Sequence, residues 1–552
     1  MATRTLTGAL REPPHPALVS ALIAACVAAP ALRNGFALDD VFMIVENSRV
    51  HSLAEPWRFF LQSYWPPERG AALYRPVTVL GFAVQWAVGG GGPFVFHLVS
   101  LLLIAAVSAA VADLARQLGL GRAASLVAGL LFAVHPVHVE AVANVVGQAE
   151  LLAALAVVVA LGVYLRARRR GAMSGPAAVA IGVCYALGCL SKEHATVLPV
   201  LLVAVELAAF PSVPWRERAR LMGPLLGALL VVAALCWTVR GQVVGGVMGA
   251  DVHPIFRGAT TGQRLLTSLG SIPTWTMLLL FPWRLRADYA PADYGLAHDF
   301  GGWQALGIVL LTGLALIGWR LRRSAPVVPA GIAIAAVALG PVSNVLIPTG
   351  VVVAERVLFL PSVGAVLAVA GLLAPWLEGP RQRVAAGLVA ALAIPGAILS
   401  MLRAPVWADT ETLAQRMLQD APRDYRSWWM VGRYALKAGD EAEGTAAIRQ
   451  AVRLYDGDPN LLVDAAAVEL SAGRYGEAEG LSRRALELVP EFSTARNRRI
   501  LSLLGLGRCQ EAREEAQRAA RYGDPAWRGR IAFVDSVSSQ PGFRCNVPGP
   551  SP

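Results

Sequence analysis

Apolar stretches separated by short polar loops make up most of the chain before residue 403. A helix needs roughly 20 apolar residues to cross the hydrocarbon core of a bilayer, and several of these stretches are shorter. Their helices must therefore extend into the neighbouring loops. The pattern predicts eleven membrane-spanning helices, over residues 17–32, 93–114, 123–134, 151–165, 176–190, 195–210, 221–239, 303–319, 327–342, 357–377 and 384–402.

Two further apolar segments do not fit this series. Residues 265–281 contain Thr, Ser, Pro and Trp, and residues 73–88 begin near Arg75 and end at a run of glycines. Counting segment 265–281 as a span would move the next arginine-rich loop to the opposite side of the membrane. We therefore predict that both segments are helices that lie in, or dip into, the outer membrane interface.

Composition places the chain among polytopic membrane proteins. It has 552 residues, 55% of them hydrophobic, and a mean hydropathy of +0.51. The net charge of +11 does not indicate nucleic-acid binding, because much of the arginine lies in short loops between apolar stretches. A cytoplasmic N-terminus puts all of these loops inside, and eleven spans then place the C-terminus outside. The loops contain Arg116 and Arg122, Arg166 to Arg170, Arg216 to Arg220, Arg320 to Arg323, and Arg381 and Arg383.

The chain changes character after residue 402 and repeats itself with a period of 34 residues. Glycine recurs at 439, 473 and 507, glutamate at 443, 477 and 511, and alanine at 451, 485 and 519. This period is typical of tetratricopeptide repeats, which are stacked helix pairs with a concave face suited to an extended peptide. The predicted all-α organisation is a membrane domain at 1–403, a linker or helix at 404–426, three tetratricopeptide repeats at 427–528 and a flexible tail at 529–552.

Cysteines are few, and most of them lie in predicted spans. We interpret these as small hydrophobic residues that pack between helices; they are Cys26, Cys184, Cys189 and Cys236. Cys509 and Cys545 fall on the predicted outer side, where an oxidising compartment would permit a disulfide between the tail and the third repeat. The sequence leaves this pairing open.

Reactive side chains gather on the side opposite the arginine-rich loops. An acidic pair follows the first predicted span, where a carboxylate beside the bilayer is costly and rarely idle. A helix cap or a solvated loop would also explain the pair. Each of the other groups has an ordinary structural explanation as well. All of them are nevertheless predicted on the same side of the membrane, which favours a common site. In such a site, Arg suits a phosphate group because its guanidinium donates two parallel hydrogen bonds. The candidates are Asp39, Asp40, Arg75, His135, His138, Glu140, Lys192 and Arg356.

Five segments, taken in order, resemble those of the transmembrane-and-tetratricopeptide-repeat O-mannosyltransferases. They are 36–47 (FALDDVFMIVEN), 74–78 (YRPVT), 135–143 (HPVHVEAVA), 190–193 (LSKE) and 355–362 (ERVLFLPS). The resemblance implies a GT-C glycosyltransferase fold and a sugar donor carried on a polyprenyl phosphate at the outer side of the membrane. It also implies transfer to Ser or Thr of a protein.

Two features depart from the family pattern. The chain has Gly147-Gln148-Ala149-Glu150 where the family usually has Gly-Arg-Ala-Asp, so Gln148 stands in place of an arginine. Only three repeats are visible, whereas family members usually carry more. The Ala-, Gly- and Arg-rich composition suggests a bacterial chain.

By this resemblance, Asp39 is the catalytic base for the acceptor hydroxyl, and Asp40 orients the acceptor or the helix. Arg75, Lys192 and Arg356 bind the phosphate and neutralise its growing charge. The donor pocket is shaped by His135, His138 and Glu140. No metal ligand and no required cofactor are assigned, although a divalent metal stays open, because His and carboxylate groups suit several such ions.

The predicted function is that of a multi-pass membrane glycosyltransferase of the bacterial inner membrane. It moves a mannose-like sugar from a polyprenyl-phosphate carrier to a hydroxyl acceptor, a protein Ser or Thr, by inverting direct displacement, with its repeats on the extracytoplasmic side holding the peptide. Three alternatives remain. One is a non-catalytic membrane scaffold whose repeats recruit envelope partners, and another is a glycosyltransferase that acts on a glycan or lipid A. The third is a lipid-linked transporter or flippase, for which acidic residues should lie in the middle of the spans, whereas the nearest candidate, Glu206, is close to an inner end.

Overall fold

The chain is helical throughout the residues that its computed structural model describes, which are 15–66, 73–171, 173–245, 252–289, 294–521, 527–541 and 543–545. These residues contain no β-strand, which confirms the all-α prediction for this part of the chain. The chain divides into two compact units. The first comprises Met1–His253, Thr260–Ala287 and Ala297–Leu413, and the second comprises Pro254–Ala259, Asp288–Leu296 and Ala414–Pro552.

The first unit contains the long apolar helices. Seven helices of the described chain are long and apolar enough to cross a membrane, or up to eight if one bent helix pair counts as a span. This agrees with the prediction of a multi-pass membrane protein. The seven are Pro16–Arg33, Pro93–Gln117, Val145–Arg169, Trp215–Val244, Gly302–Leu321, Arg356–Leu377 and Gln382–Trp407, and the bent pair is Arg122–Ala133 with Pro136–Ala143.

The count of eleven spans is not confirmed, because three predicted spans coincide with shorter helices. Gly175–Ser191, Leu198–Ala209 and Val327–Leu339 have 17, 12 and 13 residues. A continuous apolar stretch does not reveal where a helix stops. Here a 3-10 turn at Gly340–Val342 interrupts the helical geometry within apolar sequence, and another at Glu193–Val197 occupies the start of a predicted span.

The two segments predicted to lie at the outer interface are helical, and neither is among the seven long apolar helices. Thr261–Leu280 begins with a capping box formed by Thr260 and Gln263. Pro76–Gly89 ends at Gly90, whose φ of +59° favours glycine. Their interfacial position stays a prediction. Shorter helical segments of the unit include Val41–Val45, Ser48–His51, Pro56–Leu61, Pro136–His138, Val139–Ala143, Arg356–Leu358 and Ala404–Trp407. Helix Thr410–Asp420 begins in the first unit and ends in the second.

Two glycines bring a pair of helices into backbone contact. A Cβ on Gly331 in Val327–Leu339 would lie 2.5 Å from the carbonyl oxygen of Gly364 in Phe359–Leu377. A Cβ on Gly364 would lie 2.3 Å from the carbonyl oxygen of Gly331. Since backbone atoms on both sides cannot yield as a flexible side chain can, only glycine permits so close a crossing.

The second unit consists mainly of helical hairpins. Asp424, Asp440 and Asp458 cap three of the helices by accepting hydrogen bonds from backbone N–H groups of the first turn. The helices form three pairs, and the two helices of each pair pack on each other. The pairs are Tyr425–Ala438 with Glu441–Leu454, Pro459–Ser471 with Tyr475–Leu488, and Ser493–Gly505 with Cys509–Arg521.

The 34-residue glycine period marks the turns inside these hairpins. Gly439, Gly473 and Gly507 have φ values of +90°, +69° and +71°, and each follows the first helix of its pair. A left-handed residue at this place ends a helix without steric cost when it is glycine. The recurrence of the turn explains the sequence period, while the tetratricopeptide assignment itself stays a prediction.

The prediction of a flexible tail from residue 529 needs correction. The chain instead forms helix Trp527–Ser538, which packs on Cys509–Arg521, and Val534 is buried there. Cys509 and Cys545 form a disulfide that closes the segment back onto the third hairpin. The Ser, Pro and Gly residues after Val534 favour a tail, but a local composition does not reveal that Val534 packs on a distant helix or that Cys545 bonds to Cys509. Residues 522–526, 542 and 546–552 lie outside the described residues.

Breaking this disulfide should loosen the end of the second unit. A closed loop of this size typically contributes about 2–5 kcal/mol to stability by restricting the unfolded chain. We expect Cys509→Ser to make the chain after residue 521 sensitive to proteolysis at concentrations of protease that spare the wild type. Cys26→Ser, which removes an unpaired cysteine, is the control. Equal cleavage rates in Cys509→Ser and wild type would contradict this role.

Candidate active site

The loop after the first long helix is fixed by the chain that follows the last one. Gly35 donates its backbone N–H to the carbonyl oxygen of Ala408 at 2.8 Å, and Leu38 donates to the Thr410 hydroxyl at 3.0 Å. The Asn34 side chain donates to the carbonyl oxygen of Ala404 at 2.9 Å. Leu38 has a φ of +49°, which is strained for a branched residue. These contacts hold the acidic pair at the end of the loop in one conformation.

Asp40 is a buried anchor. It is 1% exposed, and its two carboxylate oxygens accept N–H groups of Val146 at 2.8 Å, Val145 at 3.0 Å and Ala37 at 3.5 Å. Burial raises the pKa of Asp40 to about 7, although the three N–H donors lower it. Because both oxygens are occupied, Asp40 ties the loop to the start of helix Gln148–Arg169 and is not available to a substrate.

Asp40→Asn should remove a pH-dependent loss of stability. The pKa of Asp40 is about 7 in the folded chain against 3.8 ordinarily, so the unfolded chain loses this proton first as the pH rises. The folded state therefore loses stability between about pH 4 and pH 7. Asn does not ionise, so the Tm of the variant relative to the wild type should rise between about pH 4 and pH 7, by on the order of a few degrees.

Thermal unfolding in detergent at several pH values measures this difference. Glu55→Gln, which changes an exposed carboxylate in a nearby loop, is the control and should show no such trend. A Tm difference for Asp40→Asn that stays constant or falls with rising pH would rule out the proposed burial of the carboxyl.

Asp39 is more exposed than Asp40, and its carboxylate has fewer partners. It is half-buried, and within the described part of the chain its carboxylate has neither a hydrogen bond nor an ion pair. Asp39 nevertheless interacts electrostatically with Arg356 and with Tyr64. An acid with free lone pairs beside a cation is able to accept a proton or bind a polar group.

The three cations predicted to bind phosphate lie close to one another. Lys192 interacts electrostatically with Arg75 and Arg356, and Arg356 in turn interacts with Arg75. Burial lowers the pKa of Lys192; Glu150 opposes this shift, while Arg75 and Arg356 add to it. The structure therefore gathers into one cluster three residues that the sequence separates by more than a hundred positions.

Each cation of this cluster is held by its own carboxylate. Arg75 donates through Nε and Nη2 to Glu193 at 3.1 and 2.9 Å, and its guanidinium lies 5.0 Å from the ring centre of Tyr64. The Lys192 ammonium pairs with Glu150. Burial raises the pKa of Glu193, but Arg75 and Arg240 lower it more, so the net shift is downward. These pairs keep the cations in place and limit their excess positive charge.

Arg356 is the most accessible of the three. Its side chain is 36% exposed, against 13% for Arg75 and 14% for Lys192. Glu140 holds it twice, accepting the Arg356 backbone N–H at 2.9 Å and lying 3.3 Å from its Nη1. Glu140 therefore fixes the position of Arg356, while the other N–H groups of the guanidinium remain to bind an anion.

The histidines predicted to shape the donor pocket are buried and already bonded. His135 Nε2 lies 3.1 Å from the carbonyl oxygen of Leu279, and His138 Nε2 lies 2.8 Å from the Ser362 hydroxyl. His138 also packs between Phe132 and Phe359. Both residues therefore position the turn that carries Glu140. Among the described residues no group of three His, Cys, Asp or Glu side chains is arranged to hold a metal ion.

Gln148 has a role that its position in the motif did not reveal. Its amide exchanges hydrogen bonds with Gln85 at 2.9 Å and donates to the carbonyl oxygen of Phe96. The side chain is 2% exposed, so it serves the packing of three helices. The sequence patterns do not point to Tyr64, whose ring lies under Arg75, or to Arg240, which pairs with Glu193, the carboxylate partner of Arg75.

Comparison with known proteins gives a consistent result. No family model matches the chain. It is 27% identical over 469 residues to protein O-mannosyl-transferase TMTC4 of Mus musculus, covering 75% of this chain and 62% of that protein. The human TMTC4 is 28% identical over 486 residues, covering 78% and 65%. The chain is thus similar to protein O-mannosyl-transferases over most of its length.

The similarity is higher over a shorter region in another relative. Protein O-mannosyl-transferase Tmtc2 of Drosophila melanogaster is 34% identical over 276 residues, which cover 48% of this chain and 29% of that protein. The alignments thus span less than two thirds of the length of these relatives. They support the resemblance inferred from the motifs. All three relatives come from animals, and the bacterial origin stays a prediction.

Matches among solved structures are more distant. A crystal structure of the oligosaccharyltransferase of Archaeoglobus fulgidus, in complex with Zn and sulfate, has a TM-score of 0.39 and 16% identity and covers 70% of this chain and 53% of that chain. The same organism's AglB, in complex with an inhibitory peptide and a dolichol-phosphate, has a TM-score of 0.40 and 14% identity, covering 70% and 56%.

Proposed function

We propose that the chain is a membrane glycosyltransferase that moves a mannose-like sugar from a polyprenyl-phosphate carrier to a Ser or Thr hydroxyl of a protein. The observation that carries this proposal is the contrast within the acidic pair. Both carboxylate oxygens of Asp40 accept hydrogen bonds from backbone N–H groups. The carboxylate of Asp39 has no hydrogen bond within the described chain, and it interacts electrostatically with Arg356. Sequence similarity to protein O-mannosyl-transferases supports the same reaction.

Transfer proceeds by a single inverting displacement in this proposal. Asp39 accepts the proton of the acceptor hydroxyl as its oxygen attacks the anomeric carbon of the sugar. The bond between that carbon and the carrier phosphate oxygen breaks, and its electron pair stays on the phosphate. The products are a glycosylated Ser or Thr and the polyprenyl phosphate, and the configuration at the anomeric carbon inverts.

The cation cluster stabilises the leaving group. Negative charge develops on the phosphate in the transition state, and preorganised donors there contribute more than equally placed groups in water. Arg356 makes the direct contact, because it is the most exposed cation, while Arg75 and Lys192 supply a positive field from behind their carboxylate partners. Glu140, His135 and His138 act as positioning residues for Arg356 in this scheme.

Membrane orientation follows from the same proposal. The site faces the extracytoplasmic side of the membrane, a bacterial inner membrane if the compositional prediction holds, and the hairpins of the second unit lie on that side and bind the peptide acceptor. The Cys509–Cys545 disulfide supports this placement, because disulfides persist in oxidising compartments. The loops rich in arginine support it as well, through the positive-inside rule.

A reconstituted assay tests the proposal. The full chain in nanodiscs is supplied with a synthetic polyprenyl-phosphate mannose and a panel of secreted proteins, and hexose on Ser or Thr is detected by mass spectrometry. Retention or inversion at the anomeric carbon is then determined by NMR of the released glycan. Transfer to added glycan or lipid A in place of protein would assign a different acceptor. No transfer from any polyprenyl-phosphate sugar would exclude the enzyme and favour the scaffold.

A further inference from the structure

A cleft of about 410 Å³ opens within the second unit, a volume typical of a ligand pocket. It is bordered by residues from the first two hairpins, by Arg423 just before them, and by the two separate segments Pro254–Ala259 and Asp288–Leu296, all of which belong to that unit. Its lining combines apolar side chains, two tyrosines and two arginines. The lining includes Arg257, Arg423, Tyr425, Tyr455, Gly457 and Leu488.

The arginines of the cleft differ from most others of the unit. Within the described chain neither Arg257 nor Arg423 has an ion-pair partner, and the Nη1 atom of Arg257 is buried without a hydrogen bond. Elsewhere in the unit arginines mostly pair with carboxylates. Examples are Arg426 with Asp288, Arg433 with Asp464, Arg449 with Glu469, and Arg496 with Glu515. Two unpaired guanidinium groups at one cleft have the donors that an anion requires.

Tyr425 gives the cleft a fixed aromatic wall, on which the Tyr455 ring packs. The rings of Tyr425 and Tyr455 lie 4.8 Å apart. The Tyr425 hydroxyl donates to Asp458 at 2.8 Å and accepts from Arg426 Nε at 2.9 Å, so its ring cannot turn away. Fixed aromatic rings contribute contact area at little cost in conformational entropy.

We infer that this cleft binds an acidic peptide segment in which a carboxylate side chain lies next to an apolar one. The carboxylate pairs with Arg257 and Arg423, and the apolar neighbour packs on Tyr425 and Tyr455. A sugar is a poorer fit, because the described residues that line the cleft include no Asp, Asn, Glu or Gln to receive its hydroxyl groups. The assignment does not depend on the transfer reaction proposed above.

Gly457 offers a way to close the cleft without touching its charges. A Cβ at this position would lie 2.6 Å from both Cζ and Oη of Tyr455. The tyrosine ring end is able to move, so a larger residue should fold but push the ring out of place. Gly457→Val therefore tests the shape of the site, while Arg257→Gln with Arg423→Gln tests its charge.

Binding is measured on the full chain in nanodiscs, without sugar donor, by fluorescence polarisation of a hexapeptide library. Each hexamer contains one Asp or Glu beside Leu, Phe or Ala, and a matched hexamer replaces the acid by its amide. We expect acidic hexamers to bind at least tenfold more tightly than their amide partners. We also expect the double arginine variant and Gly457→Val each to reduce that binding at least tenfold. Arg528→Gln, an exposed arginine outside the cleft, should leave it unchanged.

Thermal unfolding checks that each variant is folded before its binding is compared. Equal binding of acidic and amide hexamers would overturn the inference, as would full binding by the double arginine variant. Tighter binding of a sulfated trisaccharide than of every acidic hexamer would assign the cleft to a glycan instead. Absence of any hexamer binding at about 1 mM would also reject it, since so weak a Kd corresponds to only about −4 kcal/mol.

Discussion

Asp39→Asn should lower the rate of sugar transfer about a thousandfold, because a positioned general base typically contributes about 10²–10⁴. Asn retains the size of Asp and a hydrogen-bonding oxygen, but it cannot accept the proton of the acceptor hydroxyl. The loop itself should stay intact, since Asp40, Gly35 and Leu38 make the hydrogen bonds that hold it. The measurement is kcat in the reconstituted assay together with the Tm of the purified chain.

Two companion variants sharpen this result. Asp39→Glu keeps a carboxylate and should retain measurable transfer, whereas Glu55→Gln removes an exposed carboxylate outside the site and should leave kcat within about twofold. If Asp39→Asn retained more than a tenth of the wild-type kcat, the free carboxylate would not be the base. A parallel loss of Tm would mean that the activity had been lost through the fold.

Arg356→Gln should reduce kcat about 100-fold, since loss of one preorganised donor to a developing oxyanion commonly costs about 10²–10³ in rate. The larger effect is expected here than at Arg75 or Lys192, because Arg356 exposes 36% of its side chain and the others are covered by their partners. Arg356→Lys keeps the charge but loses the two-pronged geometry, so its rate should lie between those of Arg356→Gln and the wild type.

Removal of Arg356 also leaves Glu140 buried without its partner, and that penalty must be separated from the loss of a phosphate contact. The double variant Arg356→Gln with Glu140→Gln removes both charges. If the double variant recovered the wild-type rate, the single variant would have failed only because of the stranded carboxylate. Arg58→Gln, in an exposed ion pair of the same unit, serves as the control for charge removal.

Sequence patterns predicted the parts of this molecule that depend on local chemistry. Apolar stretches located the long helices, and the 34-residue period located the turns at Gly439, Gly473 and Gly507. Sidedness of the loops grouped Arg75, Lys192 and Arg356, which the structure brings into mutual electrostatic contact. Each of these features follows from the composition of a short segment.

Features that depend on distant partners were not predictable in this way. Asp40 is separated from its strongest donors, Val145 and Val146, by 105 and 106 positions, and nothing in the local sequence distinguishes it from Asp39. Gln148 looks like a lost phosphate ligand until its contact with Gln85 is seen. Helix lengths also escaped prediction, because a 3-10 turn within apolar sequence changes no hydropathy value.

The glycine crossing between Val327–Leu339 and Phe359–Leu377 limits how the site can open. Because their backbones are in contact at this point, neither helix can rotate or slide without separating from the other. Arg356 lies three residues before the second helix and therefore moves only when that helix moves. In the proposed reaction, the polyprenyl-phosphate donor must therefore enter by displacement of another part of the site, while Arg356 keeps its position.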